Sequence, residues 1–236
     1  MMNSEAYYID YIDRNYKALL RELEELSASL VRPLPTLVCV TKSGTDEELL
    51  ALAAAGAADF GENRPSEVKR RKELLSDAGF DVRMHEIGTL QSNKVKLIID
   101  RAALVHSLSS HSTARELEKR AAALGISIPV LVEINSAGEE SKDGVMPEEA
   151  ETFIGQLAAY PHLNVRGLMT MGPVCESEED IRPYFALTKK LFDSLRQKFD
   201  FGQSPILSMG MSDSYRIAVE EGSTLVRVGR KLFVKN

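Results

Sequence analysis

Short apolar segments rich in β-branched residues alternate with longer amphipathic segments along most of this 236-residue chain, and this alternation constrains the fold more than any other feature. Eight segments are predicted to be strands, at about residues 36–42, 58–60, 82–87, 104–108, 128–134, 165–169, 205–208 and 225–228; the segment at 58–60 is brief, and the one at 82–87 alternates polar and apolar residues. The segments between them have the apolar spacing of helices. Eight strand–helix units in a chain of this length predict an α/β fold of the TIM type, a (β/α)8 barrel.

An additional helix is predicted before the first strand. Apolar residues recur at helical spacing over about residues 4–30, with Ser4 as the N-cap, and the barrel is expected over about 36–233. No Pro/Gly-rich linker divides the chain, so residues 1–236 are expected to form a single domain. An open doubly wound sheet is the structural alternative, but its usual five to six strands would leave two or three segments unplaced.

Composition excludes several classes of function. A formal net charge of -6 argues against nucleic-acid binding, and no apolar run approaches the ~20 residues that span a membrane. Cys39, Cys175 and the four histidines show no metal-ligand spacing, so no metal site is expected. The first residues lack the apolar core of a signal peptide, and we expect a cytoplasmic protein. We also expect a monomer.

The first predicted strand ends on a lysine that can do chemistry. With strand alternation, Lys42 lies on the same face as Val38 and Val40, where loss of solvation would favour the neutral amine that attacks carbonyls. The alternative is a lysine whose stem packs on the strand while its amine reaches water. Lys94 and Lys142 are other candidates, but both are predicted to be exposed and protonated, so Lys42 is preferred.

The seventh and eighth predicted strands run into loops that resemble a phosphate site. The seventh leads into Ser208-Met209-Gly210, and the eighth ends before Gly229-Arg230. Hydroxyls, glycine backbone N–H groups and a guanidinium suit an anion, and (β/α)8 barrels commonly hold phosphate after these two strands. The alternative for each loop is a tight turn that requires small residues.

A lysine on one strand and a phosphate site across the barrel mouth suggest an aldehyde phosphate, and pyridoxal 5'-phosphate (PLP) fits. Arg227 on the last strand would lie near the pyridine nitrogen. Because a guanidinium cannot accept a proton, it would keep that nitrogen unprotonated and weaken the cofactor as an electron sink. A cofactor-free alternative makes Lys42 the Schiff-base lysine of an aldolase that acts on a sugar phosphate.

Seven motifs carry a resemblance to a known family. They are V-T-K from residue 40, F-G-E-N from 60, H-E-I-G-T-L-Q-S-N-K from 85, H-S-L from 106, R-G-L-M-T from 166, S-M-G-M-S from 208 and V-R-V-G from 226. Together they closely resemble the pyridoxal phosphate homeostasis proteins, whose fold is related to the N-terminal barrel of alanine racemases. The resemblance implies Lys42 as the Schiff-base lysine, Asn63 beside the ring, Arg227 near its nitrogen, and Ser208 and the Gly229 loop at the phosphate.

The chain departs from the family pattern at three places. Arg230 stands where the family usually has a serine or threonine, Arg64-Pro65 follows F-G-E-N in place of a tyrosine, and Ser43-Gly44-Thr45 follows the key lysine. At Arg230 a charge contact would replace a hydroxyl contact to phosphate.

The resemblance implies reversible holding of PLP in cofactor homeostasis, with PLP-dependent apoenzymes as possible partners. A PLP-dependent racemase is the enzymatic alternative. Racemases of this fold take a tyrosine base from an additional domain, which this sequence, ending after its eighth predicted strand, is expected to lack. A poor catalyst is therefore expected.

Overall fold

The computed structural model describes residues 7–139, 143–173, 175 and 177–235. Eight parallel strands form a closed barrel in which each strand pairs with the next and the last pairs with the first. The strands are β1 (Thr36–Val40), β2 (Asp59–Glu62), β3 (Arg83–Glu86), β4 (Ala102–Leu108), β5 (Ile128–Glu133), β6 (Leu163–Met169), β7 (Ile206–Ser208) and β8 (Leu225–Val228). The predicted (β/α)8 barrel is confirmed.

Helices connect the strands and pack outside the barrel. They are α1 (Asp10–Ser29), α2 (Asp46–Ala54), α3 (Pro65–Asp77), α4 (His111–Leu124), α5 (Ala150–Leu157), α6 (Arg182–Leu195) and α7 (Tyr215–Glu220), with 3₁₀ helices at Ser92–Leu97, Glu178–Ile181 and Arg230–Leu232. The 3₁₀ helix Glu178–Ile181 leads directly into α6, and Pro183 suits the first turn of α6.

The predicted N-terminal helix is present as α1 and belongs to the same core as the barrel. Its buried apolar face includes Ile12, Tyr16, Leu19 and Leu23, which join the core cluster that lies between strands and helices. The helix begins at Asp10 after Ile9, which makes no side-chain cap hydrogen bond. The predicted cap, Ser4, lies outside the described residues. No helix in the described part of the chain has the length and apolar character needed to cross a membrane.

Strand alternation divides the core into two layers. Leu37 and Cys39 of β1 join the outer cluster against the helices, whereas Val38 lies in an inner cluster enclosed by the barrel. The other members of the inner cluster are Leu104, Leu131, Met169 and Leu225. Two residues further along their strands, the same inward face continues with side chains of different character: His106, Glu133 and Arg227. The barrel interior therefore changes from apolar to polar towards the carboxyl ends of the strands.

Candidate cofactor-binding site

Arg227 of β8 forms the floor of the polar part of the barrel interior, and only 3% of it is exposed. Its Nη1 donates to the Ser208 hydroxyl, and its Nη2 donates to the Thr170 carbonyl at 3.0 Å. Burial lowers the pKa of Arg227 to about 10, while attraction from Glu133 acts in the opposite direction. The guanidinium thus stays charged at neutral pH. Within the described residues two of its five N–H donors are engaged, which leaves donors for a ligand.

A buried chain of hydrogen bonds extends from Arg227 across the barrel. The Ser208 hydroxyl lies 3.1 Å from His106 Nδ1, His106 Nε2 lies 2.9 Å from His85 Nδ1, and His85 Nε2 lies 3.0 Å from Asp59 Oδ1. Burial lowers the pKa of His106 well below its usual value, so this ring is neutral. The register of β2, β3, β4 and β7 brings these four side chains together.

When each histidine ring carries one proton, the direction of every hydrogen bond in this series is fixed. The carboxylate of Asp59 only accepts, so His85 donates from Nε2 and accepts at Nδ1. His106 then donates from Nε2 and accepts at Nδ1 the proton of the Ser208 hydroxyl. The Ser208 oxygen in turn accepts from Arg227. In this protonation state the Ser208 hydroxyl donates to His106 and accepts from Arg227.

Lys42 lies in a turn beyond the end of β1. The strand ends at Val40, and the turn over residues 41–44 is closed by a 2.9 Å hydrogen bond from the Gly44 N–H to the Thr41 carbonyl. The predicted loss of solvation is wrong, because this turn carries Lys42 out into solvent. Its amine makes no hydrogen bond or ion pair within the described part of the chain, and is thus open to a carbonyl compound.

Asn63 takes a similar position after β2. It is exposed, and it follows Gly61, whose added Cβ would lie 2.9 Å from Cγ1 of the inward-facing Val38. The loop after β3 packs directly against it, since a Cβ on Gly88 would lie 2.3 Å from the Asn63 carbonyl oxygen. The F-G-E-N and H-E-I-G motifs therefore meet at the rim because a glycine in each allows close approach.

The loops after β7 and β8 also meet. The Gly229 N–H donates to the Ser212 hydroxyl at 3.3 Å, and the Arg227 N–H donates to the Gly210 carbonyl at 3.0 Å. Gly210 has a φ of 89°, and a Cβ there would lie 2.5 Å from the Cβ of Ala218. The structure thus joins the two loops that contain Gly210 and Gly229.

Two other residues of the predicted site point elsewhere. The side chain of Met209 is buried in the outer core, so only its backbone faces the loops. Arg230 is exposed and forms an ion pair with the exposed Asp213. A phosphate that reached Arg230 would compete with that carboxylate.

Sequence reasoning missed Glu133, the last residue of β5. It is 9% exposed, lies on the inward face, and its carboxyl has no hydrogen-bond partner in the described residues. Burial, with a contribution from Asp143, raises its pKa to about 7. The sequence does contain a signal for this residue, because Glu133 is the single acidic residue in the most apolar predicted strand. The described residues contain no group of His, Cys, Asp and Glu side chains that could hold a metal ion.

Comparisons with known proteins identify the family to which this chain belongs. The family model described as the alanine racemase N-terminal domain matches residues 15–236. A pyridoxal phosphate homeostasis protein of Aquifex aeolicus is 40% identical over 84% of this chain and 85% of its own length. A protein from Bifidobacterium adolescentis matches with a TM-score of 0.85 at 30% identity, and covers 94% of each chain.

PipY of Synechococcus elongatus, solved with PLP bound, matches with a TM-score of 0.77 at 30% identity, over 90% of this chain and all (100%) of PipY. Fold and site thus define a barrel of the alanine racemase N-terminal class. Within that class, the chain belongs to the pyridoxal phosphate homeostasis protein family.

Proposed function

We propose that this protein binds PLP and holds it reversibly on Lys42, in the service of intracellular PLP homeostasis. The observation that carries the proposal is the combination of an exposed Lys42 amine, which has no partner among the described residues, with a buried, hydrogen-bonded Arg227 in the same barrel mouth. PLP bound to the PipY structure supports it. When bound, PLP supplies an aldehyde that condenses with an amine with release of water.

The residues present fit such a ligand. Arg227 has free donors for a ring nitrogen that carries no proton, and the glycine loops at Gly210 and Gly229 bring backbone close to the place proposed for the phosphate. Asn63 is proposed to line the ring from the rim. Met209 would contribute through its backbone, and Arg230 would contribute only after leaving Asp213. Ser208 acts indirectly, since its hydroxyl supports Arg227.

The proposed role is storage and exchange rather than turnover. A permanently cationic partner at the ring nitrogen weakens the electron sink that most PLP chemistry requires. The exposed position of Lys42 lets water reach and reverse the link. We expect no racemase, transaminase or decarboxylase turnover of a common amino acid above slow background. Steady turnover at ~1 s⁻¹ that is lost in Lys42→Ala would favour an enzyme instead.

We also infer that the protein acts as a single cytoplasmic domain and a monomer, with PLP-dependent apoenzymes as partners that receive or donate the cofactor. The sharing of one core between α1 and the barrel supports a single domain over residues 1–236. Both Cys39 and Cys175 are free thiols, as suits a reducing compartment.

An absorption spectrum before and after addition of PLP tests the proposal, followed by borohydride reduction and peptide mass spectrometry. The expected result is a visible band on loading and an adduct on the peptide that contains Lys42. Lys94→Ala serves as the control and should load like the parent. An adduct on Lys94, or no visible band at saturating PLP, would contradict the proposal; the second result would favour a cofactor-free aldolase.

A further inference from the structure

The turn that carries Lys42 is held from behind by a buried ion pair. The side chain of Arg71, on α3, is only 7% exposed, and its Nη1 lies 2.8 Å from Oε1 of Glu62 on β2. The same nitrogen donates to the Thr41 carbonyl, and Nη2 donates to the Gly44 carbonyl at 3.0 Å. One guanidinium therefore binds both ends of the turn in which Lys42 is the second residue.

Few other side chains could make this set of contacts. Glu62 Oε1 also accepts the Thr41 hydroxyl, and Arg71 Nε donates to Glu67 at 3.3 Å. Four of the five guanidinium N–H donors thus have acceptors, in a planar arrangement. A lysine has three donors on a single nitrogen and cannot span the same acceptors.

The ion pair is poorly explained by stability alone. Taking two charges out of water costs about as much as their attraction returns, so a buried pair is weak evidence of net stabilisation. Burial raises the pKa of Glu62, and its Oε2 is buried without a hydrogen-bond partner in the described residues. What the pair does hold is the turn at residues 41–44, whose exposed residues are Lys42 and Ser43.

We propose that Arg71 and Glu62 are positioning residues for Lys42. They hold the turn so that the exposed amine is presented in one orientation, which favours the covalent link over non-covalent binding. This inference rests on the proposed role of Lys42. Because Arg227 is held by Ser208 and Thr170, away from α3, loss of the Arg71 contacts should spare non-covalent binding.

The first test compares Arg71→Lys with Arg70→Lys. Arg70 is the neighbouring residue on α3, and its ion pairs with Asp46 and Glu67 are exposed, so it is a matched control. At equal PLP occupancy, measured by equilibrium dialysis, the fraction trapped on Lys42 by borohydride should fall about tenfold in Arg71→Lys. It should not change in Arg70→Lys. Equal trapping in both variants at equal occupancy would overturn the proposal.

The second test uses cofactor-free protein and measures amide hydrogen exchange. The Gly44 N–H closes the turn, so it should exchange about tenfold faster in Arg71→Lys than in the parent, while the N–H of Val105 in the core of β4 stays unchanged. Arg70→Lys should match the parent at both amides. Unchanged exchange at Gly44 would contradict the proposal.

Two milder variants keep the inference testable if Arg71→Lys does not fold. Glu62→Gln keeps an acceptor oxygen but removes its charge, and Thr41→Val removes only one hydroxyl contact to Glu62. Both variants should lower the trapped fraction and speed exchange at the Gly44 N–H, by smaller factors than Arg71→Lys. If neither variant changes either measurement, the inference is overturned. If the parent forms no link at Lys42, the proposed function fails, whereas the exchange measurement still reports on the turn. If the parent forms the link but the variants match Arg70→Lys, the positioning role alone fails.

Discussion

The two sides of the barrel mouth differ in how far their functional residues are removed from water. On the side of β1 and β2, Lys42 and Asn63 are exposed and stand beyond the ends of their strands. On the side of β7 and β8, Ser208 and Arg227 are buried within their strands and hydrogen-bonded to each other. The reactive group of the proposed site is thus accessible, and the recognition group is fixed.

This difference suits a protein that must release what it binds. A buried arginine with its acceptors in place requires little reorganisation when a ligand arrives, which favours affinity. An exposed amine allows water or a second amine to reach the link and reverse it. An enzyme that enclosed its cofactor would instead exclude water from both sides. The side of β7 and β8 therefore sets binding and stability, and the side of β1 and β2 sets exchange.

The largest effects on stability and PLP binding are expected when the buried guanidinium of Arg227 is removed. Arg227→Leu leaves the Ser208 hydroxyl and the Thr170 carbonyl without their donor, so the free energy of unfolding should fall by about 2–4 kcal/mol. PLP binding should fall at least tenfold, since charged hydrogen bonds contribute about 1.5–3 kcal/mol. Lys42→Ala, in contrast, should stay within about 0.5 kcal/mol of the parent because Lys42 is exposed. Urea unfolding and equilibrium dialysis measure both quantities. A stability loss in Lys42→Ala as large as that in Arg227→Leu would remove the distinction between the two sides.

A smaller effect on the free energy of unfolding is expected at Glu133, on the buried floor of the barrel mouth. Its folded-state pKa of about 7 lies above the value of about 4.3 in an unfolded chain, so the folded protein binds the proton more tightly. Its contribution to stability is therefore complete below about pH 4.3 and is lost as the pH rises through about 7. Glu133→Gln should remove this dependence and raise the free energy of unfolding at pH 8 by about 1–3 kcal/mol.

Urea unfolding at several pH values between 4.5 and 8 measures the effect of Glu133→Gln, with the exposed Glu148→Gln as control. The control should follow the parent throughout. A parallel pH profile in Glu133→Gln and the parent would show that this carboxyl titrates like an exposed one, and that the floor is wetter than its burial suggests.

Most of the strands could be predicted from the sequence because they are local, apolar and β-branched patterns; β2 and β3, which carry Asp59, Glu62, Arg83 and Glu86, are the exceptions. The last strand has the predicted bounds, Leu225–Val228, and β7 begins one residue later than predicted. The first strand ends two residues earlier than predicted, at Val40. Its end is set by the turn that Arg71 holds from 30 residues further along the chain, and no local pattern encodes that contact.

The functional residues could be located but their partners could not. The motifs at His85 and His106 were recognised, yet the hydrogen bond between the two rings arises from the register of β3 and β4. The Arg230–Asp213 ion pair joins two loops that only the closed barrel brings together. Burial is likewise a property of the assembled fold, which is why Lys42 was expected to be desolvated and Glu133 was overlooked.

The smallest effects on stability and PLP affinity are expected at the exposed rim of the barrel mouth. Arg230 forms an exposed ion pair with Asp213, and such pairs contribute about 0–1 kcal/mol, so Arg230→Ala should leave stability almost unchanged. With its charge already neutralised by a neighbour, Arg230 should add less than about fivefold to PLP affinity, within that same range. Asp213→Asn frees the guanidinium and should raise affinity by a similar factor, an increase that falls with salt because the site is exposed. Equilibrium dialysis at two salt concentrations measures this. A tenfold loss in Arg230→Ala with no gain in Asp213→Asn would mean that Arg230 already leaves Asp213 to bind phosphate, and would place a fixed recognition group on the exposed rim as well.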